Sequence, residues 1–128
     1  MTDTKPMIAV VDDEWSVRVM LGRVLRLGGY RVAAFARGDD FMSSLETRHP
    51  ACAILDIHMA QMSGFQVQAQ LLRAGTGMPV ILITASDDAT LDDAARIMKA
   101  TCLLRKPFSA DTLLEAVARA LALPGGGT

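Results

Sequence analysis

Four short apolar runs in this chain each end on a polar residue able to take part in phosphoryl chemistry, and that pattern constrains the fold more than any other feature. MIAVV (7–11) runs into Asp12 and Asp13, CAIL (52–55) into Asp56, VILI (80–83) into Thr84, and CLL (102–104) through Arg105 into Lys106. Runs this short, rich in Val and Ile and separated by segments of helical period, predict buried parallel strands. The carboxyl ends of such strands share one sheet edge, where open α/β sheets bind ligands. Three carboxylates, a hydroxyl and an ammonium, far apart in sequence, are therefore expected in one pocket suited to a divalent cation and a phosphoryl group.

The intervening segments complete the pattern. After the first strand, Val17, Met20, Leu21, Val24 and Leu25 form one face of a helix that Gly28 and Gly29 stop. A second strand covers 31–35. A helix over 38–47 buries Phe41, Met42 and Leu45, and Pro50 prevents its continuation. The third strand, 52–55, ends at Asp56. A loop leads to a helix over 64–73 with Phe65, Leu71 and Leu72 inward, ended by Gly75 and Gly77. The fourth strand, 80–83, precedes a helix over 90–99, with Asp87 and Asp88 as caps and Leu91, Ala94, Ala95 and Met98 as its stripe. The fifth strand is 101–105. Ser109 caps a last helix whose Leu113, Leu114, Val117 and Leu121 face the sheet. Five βα units in alternation, joined by right-handed crossovers, give a doubly wound parallel sheet with helices on both faces. One domain spans 1–123, and 124–128, with Pro124 and three glycines, reads as a Gly-rich tail or the start of a linker.

Composition narrows the function classes. The chain has 128 residues, of which 51% are apolar and 5% aromatic, so the core is expected from Val, Ile, Leu, Met and Ala. A net charge of −1 without a basic cluster gives no general attraction to nucleic acid or to anionic membrane. No apolar stretch approaches the roughly 20 residues of a membrane span, and MTDTKPM lacks the apolar core of a signal peptide. The chain therefore reads as soluble and cytoplasmic, with no direct contact to nucleic acid or membrane. Cys52 and Cys102 each open an apolar run and fit no zinc spacing, so both read as strand packing residues rather than a disulfide.

The chemistry rests on five residues. Asp12, Asp13 and Asp56 crowd their charges, and a hard cation such as Mg2+, which takes carboxylate, water and phosphate oxygens, relieves that repulsion. Taken alone, Asp12, Asp13 and Glu14 would only complement a helix dipole. Asp56 is different, because a carboxylate ending a fully apolar strand calls for a function or a specific partner. Lys106 and a cation neutralise phosphoryl oxygens while a carboxylate attacks phosphorus, and the Thr84 hydroxyl can donate to the same oxygens. His58 and Ser86, two residues beyond Asp56 and Thr84, are placed to flank such a group. Trp15 is expected at the pocket rim. His49 reads as a loop residue, and Asp87, Asp88, Asp92 and Asp93 as a solvated helix start rather than a second metal site.

As a set, VVDDE, LDIHMAQMSGF, ILITA and LLRKPF resemble the receiver domain of two-component response regulators, from Met7 to about Leu123. The resemblance implies a flavodoxin-like (βα)5 fold with strand order 2-1-3-4-5. It implies that Asp56 accepts a phosphoryl group from a histidine kinase or phosphotransfer domain, that Lys106 partners the phosphoryl group and that Thr84 is the switch hydroxyl. Asp12, Asp13, Asp56 and the backbone carbonyl of His58 would organise Mg2+, for which Mn2+ can substitute, and the Lys106–Pro107 bond would be cis. The domain would catalyse only its own phosphorylation and dephosphorylation and would not be an enzyme in the ordinary sense. A homodimer through the face formed by the fourth helix, fifth strand and fifth helix is a further implication. Three positions depart from the family pattern: Leu103 replaces the usual aromatic, Ala60 the proline after Met59, and Lys99-Ala100 the glycine before the fifth strand. They bear on how a phosphorylated state is reported, not on the pocket.

Other functions fit less well. An aspartyl-phosphate hydrolase would want an acid/base carboxylate two residues past its nucleophile, where His58 stands, and a cap over its substrate. A flavin carrier would need a hydroxyl- and glycine-rich loop where DDEWS is acidic. A degenerate receiver would not retain all five residues. For output, TLDDAARIMKA loosely resembles receivers joined to helix-turn-helix domains, which suggests transcription control through a domain outside this chain. The alternatives are a phosphorelay component and a single-domain receiver acting by protein–protein contact.

Overall fold

The structure is a computed structural model that describes residues 4–123. The expected tail at 124–128 lies outside the described residues. Strands β1 (Met7–Val11), β2 (Arg31–Phe35), β3 (Cys52–Asp56), β4 (Val80–Thr84) and β5 (Cys102–Arg105) alternate with helices α1 (Trp15–Leu27), α2 (Gly38–Ser44), α3 (Gly64–Arg73), α4 (Thr90–Ile97) and α5 (Ala110–Ala122). All strand pairs are parallel, in the order β2-β1-β3-β4-β5. This is the flavodoxin-like (βα)5 arrangement expected from the sequence.

Strand periodicity divides the core. Ile8, Val10, Cys52, Ile54, Ile81 and Ile83 point to the face covered by α1 and α5, where they meet Leu21, Leu25, Leu113 and Val117. The alternate residues Ala9, Val11, Ala53, Leu55, Val80 and Leu82 meet Phe41, Val67, Leu71 and Ala95 of α2, α3 and α4. Burial on both faces explains why the central strands read as unbroken apolar runs rather than alternating ones. The register aligns Val11 with Leu55, Asp56 with Ile83, and Thr84 with Arg105. All four strand ends that carry candidate residues therefore finish on the same sheet edge.

Several local expectations shift. α2 stops at Ser44 rather than near Thr47, because Leu45, Glu46 and Thr47 donate to the third residue back in tightened turns while the Ser44 hydroxyl donates to the Phe41 carbonyl. α4 ends at Ile97, before Lys99 enters the left-handed region at φ 61°. Met20 and Leu72 lie at the margins of their apolar stripes and are exposed, whereas Val17, Val24, Leu71 and Val67 do the packing. Ser63 and Gln66 form a reciprocal cap on α3, and Ser109 caps α5 through the Thr112 amide. Asp88 accepts from the amide and hydroxyl of Thr90, although Ala89 occupies the cap position itself. Cys52 is fully buried, and burial, followed by the charge of Cys102, pushes its thiol up to about 12. Cys102 is half-buried on the outer strand β5, and both cysteines are free thiols. Among the described residues no helix is long and apolar enough to cross a membrane.

Candidate functional site

The strand ends deliver the five residues to one place. Asp12 follows β1, Asp56 closes β3 and Thr84 closes β4, and all three are buried. Lys106 follows β5, joined to Pro107 by a cis bond, and its backbone amide donates to the Thr84 carbonyl at 2.7 Å. Asp13 is exposed beside them. Carboxylate oxygens of Asp12, Asp13 and Asp56 lie within 4.8 Å of one another, and no other described residues form such a cluster of metal-ligating side chains.

Lys106 Nζ bridges this cluster, 3.0 Å from Asp12 Oδ2 and 3.6 Å from Asp56 Oδ2. Burial works against its charge, but the hydrogen bond it donates to Asp12 and the charges of Asp12, Asp56 and Glu14 outweigh it, holding the ammonium above its ordinary pKa. Asp56 moves the other way from a stabilised carboxylate. Burial first, then the negative charge of Asp12, raises its pKa, with Lys106 and the His58 amide opposing them. One ammonium does not neutralise three carboxylates. The all-oxygen donor set and its remaining negative charge fit a hard divalent cation of the Mg2+ type.

Local hydrogen bonds fix each group. Asp12 Oδ1 accepts from the Glu14 amide at 2.9 Å, and Arg18 Nη1 of α1 donates to the Asp12 carbonyl at 2.7 Å. Asp56 Oδ1 accepts from the His58 amide at 3.2 Å. Thr84 Oγ1 accepts from the Ser86 amide at 3.0 Å, which leaves its hydroxyl proton for another acceptor. Gly64 lets α3 begin directly against the acceptor strand, because a Cβ there would lie 2.6 Å from the Asp56 carbonyl oxygen. The side chain of His58 is exposed, as is His49. Trp15, 70% exposed, lines a shallow groove along α1 with Met20 and Arg23. Arg18, Gly64 and Arg105 are the residues that sequence reasoning left without a role. Gly64 lay inside a quoted motif, whereas nothing in the sequence signalled Arg18.

These features are those of a phosphoacceptor receiver, and comparison with known proteins gives the family. The family model described as the response regulator receiver domain matches residues 8–118, and the chain belongs to that family. Response regulator protein TmoT of Ectopseudomonas mendocina is 34% identical over 125 residues, covering 96% of this chain and 56% of TmoT. Transcriptional regulatory protein TdiR of Thauera aromatica is 35% identical over 122 residues, covering 95% of this chain and 54% of TdiR. The chain thus spans about half the length of these curated relatives. Among solved structures, chemotaxis protein CheY4 of Vibrio cholerae superposes with a TM-score of 0.84 at 27% identity, covering 92% of this chain and 100% of that one. Response regulator StyR gives a TM-score of 0.80 at 37% identity, covering 92% of this chain and 60% of StyR.

Proposed function

We propose that this receiver domain is a phosphorylation-controlled switch in which Asp56 accepts a phosphoryl group from a histidine kinase or phosphotransfer domain. The observation that carries this reading is the Lys106 ammonium set between buried Asp12 and Asp56, with Asp13 and Thr84 at the same sheet edge. An Asp56 carboxylate oxygen attacks the donor's phosphorus and an O–P bond forms. The donor's P–N bond breaks, its electron pair leaves on the imidazole nitrogen, and solvent protonates that nitrogen. Lys106 compensates the phosphoryl charge, and Thr84 donates its hydroxyl proton to a phosphoryl oxygen. Asp12, Asp13, Asp56 and the His58 backbone carbonyl are the residues that would hold Mg2+ or Mn2+. The bound cation supplies Lewis-acid neutralisation of phosphoryl oxygens.

In this reading the domain covers 1–123 and acts in the cytoplasm, and its chemistry is confined to its own acyl phosphate. Output is transcriptional, through a separate helix-turn-helix domain. The relatives' names, TdiR's among them, favour that over a phosphorelay role. The face of α4, β5 and α5 serves as a self-association surface. The test is intact-mass measurement after acetyl phosphate treatment, with and without Mg2+. We expect one added phosphoryl group only with the cation present and none in Asp56→Asn. Undiminished modification of Asp56→Asn would show that the acceptor is another residue.

A further inference from the structure

The Arg105 guanidinium is bound at three places on the segment that follows Thr84. Nη1 and Nη2 grip the Asp92 carboxylate at 3.0 and 2.9 Å, Nη2 also donates to the Asp88 carbonyl at 2.8 Å, and Nε donates to the Ser86 carbonyl at 3.2 Å. One rigid planar group thereby joins the end of β5, the loop after Thr84 and the first turn of α4. Exposed ion pairs ordinarily contribute little, but a bidentate fork with two further backbone acceptors is the favourable exception.

What the fork holds is otherwise weakly held. α4 has one fully buried residue, Ala95, and its exposed side includes Ile97 at 75%. At its far end, Gln68 Nε2 donates to the Met98 carbonyl at 2.9 Å, so the helix is pinned at both ends by single polar side chains. The fork also stands where two movements meet. Ser86 donates its amide to Thr84 Oγ1, and Arg105 is bonded in sequence to Lys106. A pull on Thr84 or on Lys106 toward Asp56 displaces backbone on one side of the guanidinium or the other. Leu103, half-buried on β5, offers no aromatic ring or hydroxyl to relay that displacement.

We propose that Arg105 is the positioning residue through which phosphorylation at Asp56 reaches α4. Its fork makes the loop after Thr84, the first turn of α4 and the end of β5 move as one body. The proposal rests on Asp56 being the phosphoacceptor. Coupling between two sites requires an element whose arrangement both sites bias, and this clamp is that element. Lysine cannot substitute, since a point charge does not hold a carboxylate and two carbonyls in one plane.

The experiment records amide spectra of the full chain with Mg2+, before and after addition of beryllofluoride, for wild type, Arg105→Met, Arg105→Lys and Asp92→Asn. In the wild type, amides around Asp56, Thr84 and Lys106 shift on addition, and so do those of 90–97. In Arg105→Met the pocket amides shift as before, with mimic affinity within about threefold of wild type. The response of 90–97 falls to less than half. Arg105→Lys behaves like Arg105→Met, and Asp92→Asn, which keeps both carbonyl contacts, falls between. A wild-type-sized response of 90–97 in Arg105→Met overturns the clamp, as does a wild type whose pocket responds while 90–97 does not. Loss of mimic affinity beyond about tenfold in Arg105→Met overturns it too, by placing the residue inside the pocket. A wild type that shows no response anywhere overturns the phosphoacceptor reading and the clamp with it.

Discussion

Replacing Gly64 by alanine tests how tightly the acceptor strand is held. The new Cβ would lie 2.6 Å from the Asp56 carbonyl oxygen, 3.0 Å from Ile57 Cα and 3.1 Å from the Asp56 carbonyl carbon. All three are backbone atoms, so no rotamer change relieves the contact and α3 must back away from β3. Overpacking of this kind costs about 1–3 kcal/mol. The helix propensity gained is at most about 1 kcal/mol, and less in a first turn whose amide already bonds Ile57. A net loss of about 1–2 kcal/mol corresponds to a urea midpoint lowered by roughly 0.5–1 M at a typical slope. Gly22→Ala is the control, because its Cβ meets only the flexible tip of Arg26, at 3.1 Å, in a helix interior. It should be neutral or stabilising by up to about 1 kcal/mol. The assay is urea unfolding of both variants, paired with the rate of acetyl phosphate labelling, which should fall for Gly64→Ala as its acceptor backbone shifts. A Gly64→Ala protein as stable as wild type and labelled at the same rate would show that α3 does not press on the acceptor strand.

Lys99→Gly should stabilise the fold by about 1 kcal/mol, because Lys99 holds φ 61° and only glycine takes that region without penalty; a lowered urea midpoint would contradict this. Millimolar Mg2+ should raise the melting temperature by binding the folded carboxylate cluster, and Asp13→Asn should blunt that rise, with identical melting in EDTA and Mg2+ as the contrary result. In EDTA, the raised pKa of Asp56 means that the folded state holds its proton more firmly than the unfolded state does. Stability from this group is then greatest below 3.8 and is lost as pH rises through the folded value. Metal-free Asp56→Asn should therefore melt above wild type at neutral pH, with the gap closing in acid; a variant that melts lower throughout would reverse the sign.

Strand positions and the five-residue pocket were legible because both follow from short-range signals. Apolar runs of strand length ended at Asp12, Asp56, Thr84 and Lys106, and parallel pairing brings strand ends together by geometry alone. Helix ends were less legible. The shortening of α2 depends on the Ser44 hydroxyl choosing a backbone acceptor, and α4 stops where a lysine enters the left-handed region. The inward placement of Met20 and Leu72 failed because both sit at the edge of a helical stripe, where the neighbouring helix rather than period decides exposure. Arg18 had no sequence signal, and Arg105 stood only as the residue before Lys106 in LLRKPF. Their partners are mostly backbone carbonyls, which carry no residue identity. Gly64 stands inside the motif LDIHMAQMSGF, but the close approach that requires it depends on how α3 docks against β3.

The most direct measurement traps the acyl phosphate. Protein treated with acetyl phosphate and Mg2+ is reduced with borohydride, which converts an aspartyl phosphate to homoserine, and is then digested and sequenced by tandem mass spectrometry. Homoserine is expected at position 56 alone, absent when Mg2+ is withheld. Homoserine at position 12 or 13, or labelled protein with an intact aspartate at 56, would contradict it.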